Sequence, residues 1–234
     1  MLCRGLFSDA IFKIFALKKD TLNDVITCLE RDATYLIQWY HSNYLKPNLD
    51  KHHLLLNVEE GNWALKVDTE IISNRKEEKI LGITFDNKLT FESHVNKICN
   101  KVSQKVSALA RVTKFLSFNK KRILLKTFIE SQFSYCPIIW MFCSRKMNRK
   151  INHIHERALR LVYNDYTTSF GDLLKRDKSV SIHHRNIQYV AIEMYKVMND
   201  LSPQFIKYIF QKTEEHPTRS GSTFVRPKVN TVYK

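Results

Sequence analysis

Glycine and proline are scarce, at five each in 234 residues. So few turn-formers disfavour a turn-rich β architecture and favour long helices. The five glycines (Gly5, Gly61, Gly82, Gly171 and Gly221) are isolated from one another, which excludes a phosphate-cradling glycine loop. Five cysteines are an odd number and contain no C-x-x-C pair, so neither a disulfide framework nor a zinc ribbon is signalled. A reducing, intracellular compartment is expected. Long apolar runs are missing too. The longest, "CPIIWMFC" at Cys136–Cys143, carries a proline near its start and is far shorter than the ~20 residues a membrane helix needs. Asp9 and Lys13 interrupt any apolar leader core at the N-terminus, so no secretory signal is expected. No Ser-His-Asp or Cys-His arrangement is visible.

What is present is ordinary globular material: 44% apolar and 26% charged residues, enough for one large domain or two modest ones. The charge is unevenly spread. Residues 1–90 carry 12 Lys and Arg against 13 Asp and Glu, a net of −1, whereas residues 91–234 carry 26 against 10, a net of +16. A near-neutral first part joined to a strongly basic second part points to a polyanion partner for the latter.

Periodicity divides the chain at a similar place. "LFSDAIFKIF" reads as two short strands around a Ser8-Asp9 turn. "TLNDVITCLERDATYLIQWYHSNYL" has helical spacing, with Asp20 or Thr21 able to cap its start. "HHLLLNV" reads as a strand, "WALKVDTEII" alternates, and "EKILGITFDNKLTF" contains a strand ending at the turn signal Asp86-Asn87.

From Thr90 the period is helical. Val95, Ile98, Val102, Val106, Leu109 and Val112 form one inward stripe. Ser117 can cap a second helix ending before Pro137. Met147, Ile151, Ile154, Ala158 and Leu161 face inward on a third. Ser169 with Asp172 resembles a capping box, Ser181 can cap a fourth long helix, and Ser202-Pro203 signals a further start. The tail, residues 213–234, lacks periodicity and is expected to be loosely ordered.

The order of "FSDA", "NYLKPNLDKHHLLL", "KILGITFDNKLTFESHV", "RALRLVY" and "HHRNIQYVAIEMYKVMNDLSP" resembles the C-terminal part of a non-long-terminal-repeat (LINE-type, jockey-like) retrotransposon reverse transcriptase, an RNA-directed DNA polymerase. The resemblance runs from about Leu6 to Phe210. It implies an α+β fold: an incomplete polymerase palm over residues 1–90, then an all-α, basic, thumb-like bundle over residues 91–212. A palm missing its first strands would expose a sheet edge able to associate with another chain.

In that family an aromatic-x-Asp-Asp hairpin joins a third aspartate in holding two magnesium ions, which activate the primer 3′-hydroxyl and neutralise the leaving pyrophosphate. Here the resemblance matches Phe7, Ser8 and Asp9, but Ala10 stands where the second aspartate would be. The chain begins six residues before this motif, so the segment bearing the third aspartate and the fingers is expected to be absent. One carboxylate cannot organise a two-metal site, so Asp9 reads as a vestigial turn residue, no cofactor is expected, and the chain reads as truncated and inactive.

The same resemblance puts Lys51, ahead of Lys46, near an incoming nucleotide and makes Leu81-Gly82 a primer-grip-like tip. It makes Lys120, Lys121 and Arg122, then Arg145, Lys146, Arg149 and Lys150, then Arg157 and Arg160, the basic groups that would hold an RNA, DNA or RNA–DNA duplex by its phosphates. Lys150, His153, Arg157 and Arg160 share one stripe of their helix. Cys136, Cys143, His153 and His155 have a spacing that fits no standard zinc site, and the adjacent His183 and His184 cannot chelate together. Two other expectations stand beside duplex binding: a relic or protein-interaction module with no nucleic-acid role, and an active polymerase completed by a longer reading frame.

Overall fold

The computed structural model describes residues 3–7, 10–14, 22–48, 52–57, 63–67 and 70–203. The chain divides into two compact units, Met1–Ser93 and His94–Lys234. Described helices and strands together make an α+β protein.

In the first unit, β1 (Cys3–Phe7) pairs antiparallel with β2 (Ala10–Ile14), and Phe7 stands opposite Ala10. The hairpin expected around Ser8-Asp9 is therefore formed; Ser8 and Asp9 themselves lie outside the described residues. Helix α1 (Leu22–Ser42) packs on a second hairpin, β3 (Ala64–Val67) with β4 (Glu70–Ser73). Ile37, Leu54, Leu65 and Val67 form the core there, flanked by Ile26, Leu29 and Ile72. Glu30 of α1 accepts the β3 backbone N–H of Lys66 at 2.8 Å, tying helix to strand.

Over its described residues, 52–57, "HHLLLNV" does not form a strand. It makes one isolated bridge, Leu54 to Asn74, and the Asn74 side chain accepts the Leu56 N–H at 2.9 Å. Burial of Leu54 matters more here than a ladder does.

A third hairpin joins β5 (Glu77–Ile80) and β6 (Ile83–Asp86). Leu81 (φ 48°) and Gly82 (φ 85°) form its tip, the doubly left-handed turn that suits strand twist and that glycine tolerates. Among the described residues the three hairpins are separate two-stranded units and do not form one continuous sheet. Below β6 the Asp86 carboxylate accepts the N–H groups of Phe91 (2.6 Å), Thr90 (3.0 Å) and Lys88 (3.2 Å), which ends the strand and leads into the next helix.

That helix, α2 (Glu92–Val112), buries Val95, Cys99, Val102, Val106 and Leu109. The sequence stripe differs slightly: Cys99 replaces Ile98 at the centre, and Val112 is exposed. Helix α3 (Phe118–Leu124) does not continue to Pro137 as one regular rod. It widens into a π-helical turn, Leu125–Ile129, then tightens over Glu130–Phe133. Cys136, left-handed at φ 44° and exposed, starts the short α4 (Pro137–Trp140), whereas Cys143 at the other end of the same apolar run is buried.

Helix α5 (Arg145–Tyr163) packs against α3, the π-helical turn, α6 (Phe170–Asp177) and α7 (Ile182–Met198). It buries Met147, Ile151, Ile154, His155, Ala158, Leu159 and Val162, so Leu159 and Val162 take the place assigned to Leu161. Removing a leucine such as Leu159 fully from water contributes about 1.5–3 kcal/mol. The Ser169 and Ser181 caps are in place: their hydroxyls accept the N–H groups of Asp172 (3.2 Å) and His184 (3.3 Å). Anything after Pro203, including the expected helix behind Ser202, lies outside the described residues.

Candidate functional site

The basic groups of the helical unit divide by what surrounds them. Arg145, Lys146, Arg149 and Arg157 of α5 and Lys120 of α3 are exposed and make no ion pair with a described residue. Arg145, Arg149, His153 and Arg157 follow one another in four-residue steps, which keeps them on one side of α5 over about 18 Å. His153 is exposed as well. Lys121 is half-buried.

The other three are committed within the fold. Arg122 donates to the Asp177 carboxylate at 3.0 Å and to its backbone oxygen at 3.3 Å. Lys150 donates to Asn96 of α2 at 2.6 Å. Arg160 pairs with Glu156 at 2.6 Å and also reaches the Asp165 carbonyl. Each has a partner far in sequence or on the next turn, so a basic stripe read from sequence overcounts the cations free to meet a ligand.

Leu81 and Gly82 lie exposed at the β5–β6 tip in the first unit. Asp9 and Lys51 lie outside the described residues. Ala10, paired with Phe7 across the β1–β2 hairpin, occupies the position to which the resemblance assigns a second aspartate. Among the described residues no group of three or more His, Cys, Asp or Glu converges as a metal site. The zinc-like set is dispersed: Cys143 is buried, Cys136 is exposed, and His155 is hydrogen-bonded to a carboxylate. His183 and His184 hold their rings 6.3 Å apart at 69°.

A cluster that sequence reading missed lies at the end of the π-helical turn. Glu130, side chain 7% exposed, meets His155 Nε2 at 3.2 Å on one oxygen and accepts from Arg185 at 2.8 Å on the other. Burial works to raise the Glu130 pKa. The His155 hydrogen bond and the Arg185 charge outweigh it and leave the carboxyl below its usual value. The signal was present in one respect: Glu130 is the lone acidic residue between Glu92 and Glu156. Beside it opens a pocket of about 520 Å³, lined in part by Lys126, Ser131, Lys178, Ser179 and Arg185.

No helix among the described residues is long and apolar enough to cross a membrane. Comparison of the chain with protein-family models, with curated proteins and with solved structures finds no match.

Proposed function

We propose that this chain is a reverse-transcriptase-like protein of the non-long-terminal-repeat type that holds an RNA, DNA or hybrid duplex by its phosphate backbone and does not polymerise. The observation that carries the reading is the set of exposed cations, Lys120, Arg145, Lys146, Arg149 and Arg157, none paired with a described acid. Guanidinium groups match phosphate oxygens in a two-pronged geometry, and a run of about 18 Å on α5 spans several phosphates of a duplex. Such contacts position a backbone and read no bases, so binding is insensitive to sequence. Ala10, in place of a metal-binding carboxylate, supports the absence of polymerase activity.

Filter binding of the full chain to an RNA–DNA hybrid over a salt series tests the reading. The association constant is expected to fall by about 0.9 log units per decade of salt for each phosphate neutralised. Absence of binding at low salt overturns it. Primer extension on an RNA template, with wild type and Ala10→Asp in parallel, is expected to yield no product from either; extension by the wild type would refute inactivity.

A second reading, a protein-interaction module without a nucleic-acid role, is favoured by exposed apolar side chains such as Phe115 (85%), Phe142 (79%) and Leu201 (68%). Self-association at salt concentrations where the hybrid is not bound would select it.

A further inference from the structure

We propose that the open pocket beside Glu130 is a binding site for a phosphate group, distinct from the cationic face of α5. None of its lining residues belongs to that face, so failure of duplex binding and failure of this site are separate outcomes. Lys126, Lys178 and Arg185 bring three cations to the pocket, against the single carboxylate of Glu130. That carboxylate is already engaged on both oxygens, by His155 and by Arg185. Lys126 and Lys178 form no ion pair with a described residue, so their charge remains available to an anion.

Hydrogen-bond supply agrees with the charge. Ser179 lines the pocket, and its hydroxyl, shielded from solvent in the unliganded fold, has no hydrogen-bond partner. A buried hydroxyl without a partner is an exception in folded proteins, and here a ligand oxygen would satisfy it. Ser179 and Val180 also precede α7, whose positive N-terminal end favours negative charge nearby. Lys126 sits within the π-helical turn Leu125–Ile129, a wide turn of the kind that recurs at functional sites.

The volume of about 520 Å³ exceeds that of a lone oxyanion and lies in the range of small-ligand pockets, so a phosphate carrying an organic group fits the space. The shared chemistry is a phosphate dianion; its source is a free phosphomonoester or the 5′ end of a nucleic acid.

The test is calorimetric titration of the full chain with inorganic phosphate at constant ionic strength, with chloride as control. Saturable phosphate binding is expected, with no counterpart for chloride. Ser179→Ala removes a hydroxyl that bonds to nothing in the fold, so it keeps the wild-type melting temperature while phosphate affinity falls about tenfold. A Lys126→Gln/Lys178→Gln pair abolishes the binding. Equal responses to phosphate and chloride, or wild-type affinity in both variants, would overturn the proposal. A 5′-phosphorylated tetranucleotide that competes with phosphate, where its 5′-hydroxyl twin does not, assigns the source to a nucleic-acid end. Competition by ribose 5-phosphate alone assigns it to a small phosphomonoester.

Discussion

Arg122 and Asp177, 55 residues apart in sequence, are joined by a 3.0 Å bond from guanidinium to carboxylate. The Asp177 side chain is fully buried, and the Tyr163 hydroxyl donates to the same oxygen at 2.8 Å. Arg122 therefore pins the end of α6 to α3 and is a structural residue, although its sequence neighbours Lys120 and Lys121 made it look like one of three surface cations. Burial and then the Asp177 hydrogen bond push the Tyr163 phenol up to about 12, consistent with its donor role.

Replacing Arg122 by alanine leaves a buried carboxylate short of its cation. The expected loss is about 2 kcal/mol in urea denaturation, less than for a fully buried pair because the guanidinium is partly exposed. Lys120→Ala, on an exposed position, stays within about 0.5 kcal/mol of wild type. Equal stability of the two variants would contradict the structural role of Arg122.

Glu130→Ala removes the acceptor shared by His155 and Arg185, stranding a cation and a buried imidazole. A destabilisation of roughly 3–5 kcal/mol is expected from thermal or denaturant unfolding. Loss of less than about 1 kcal/mol would mean that water reaches Arg185 and replaces the carboxylate.

Acid titration probes the loop after α5. The backbone N–H and hydroxyl of Thr168 and those of Thr167 bond to the Asp165 carboxylate and hold its pKa at about 2, below the usual 3.8. Because the folded pKa is depressed, this stabilisation is fully present above pH 3.8 and is lost as pH falls toward about 2. Asp165→Asn is therefore expected to unfold with a flatter pH dependence across that window, followed by tryptophan fluorescence. An unchanged slope would count against it.

The proposed duplex face makes a quantitative claim about salt. Substituting Arg145, Arg149 and Arg157 together by alanine should lower the salt slope by about 0.9 for each phosphate no longer neutralised. Lys150→Ala, which removes a cation already bound to Asn96, should alter the slope far less. If the two variants behaved alike, exposure would not be what selects the binding cations.

Local signals in the chain were enough for much of the helical unit. Ser169 with Asp172, and Ser181, mark helix starts because a hydroxyl that accepts an N–H two or three residues on needs no distant partner. The apolar spacing of α2 and α5 likewise reports which side turns inward, to within one residue at Ile98 and Leu161. The hairpin around Ser8-Asp9 follows from turn chemistry and flanking alternation, whereas at Leu81-Gly82 the residue pattern reads as a single strand and only the resemblance points to a tip.

Tertiary structure alone decided which charges are spent. Sequence determined that this is an α+β chain with a basic helical half, because period and composition are local properties. Whether Arg122 or Lys150 faces a ligand or an internal acceptor depends on Asp177 and Asn96, 55 and 54 positions away, which no spacing rule joins; the Arg160–Glu156 pair, by contrast, has the four-residue spacing that sequence shows. The same holds for Glu130, which needs His155 and Arg185 brought to it by two other helices before its burial is tolerable. Secondary structure follows from short-range sterics and capping. The commitment of each charge follows from desolvation, which exists only once the helices have packed.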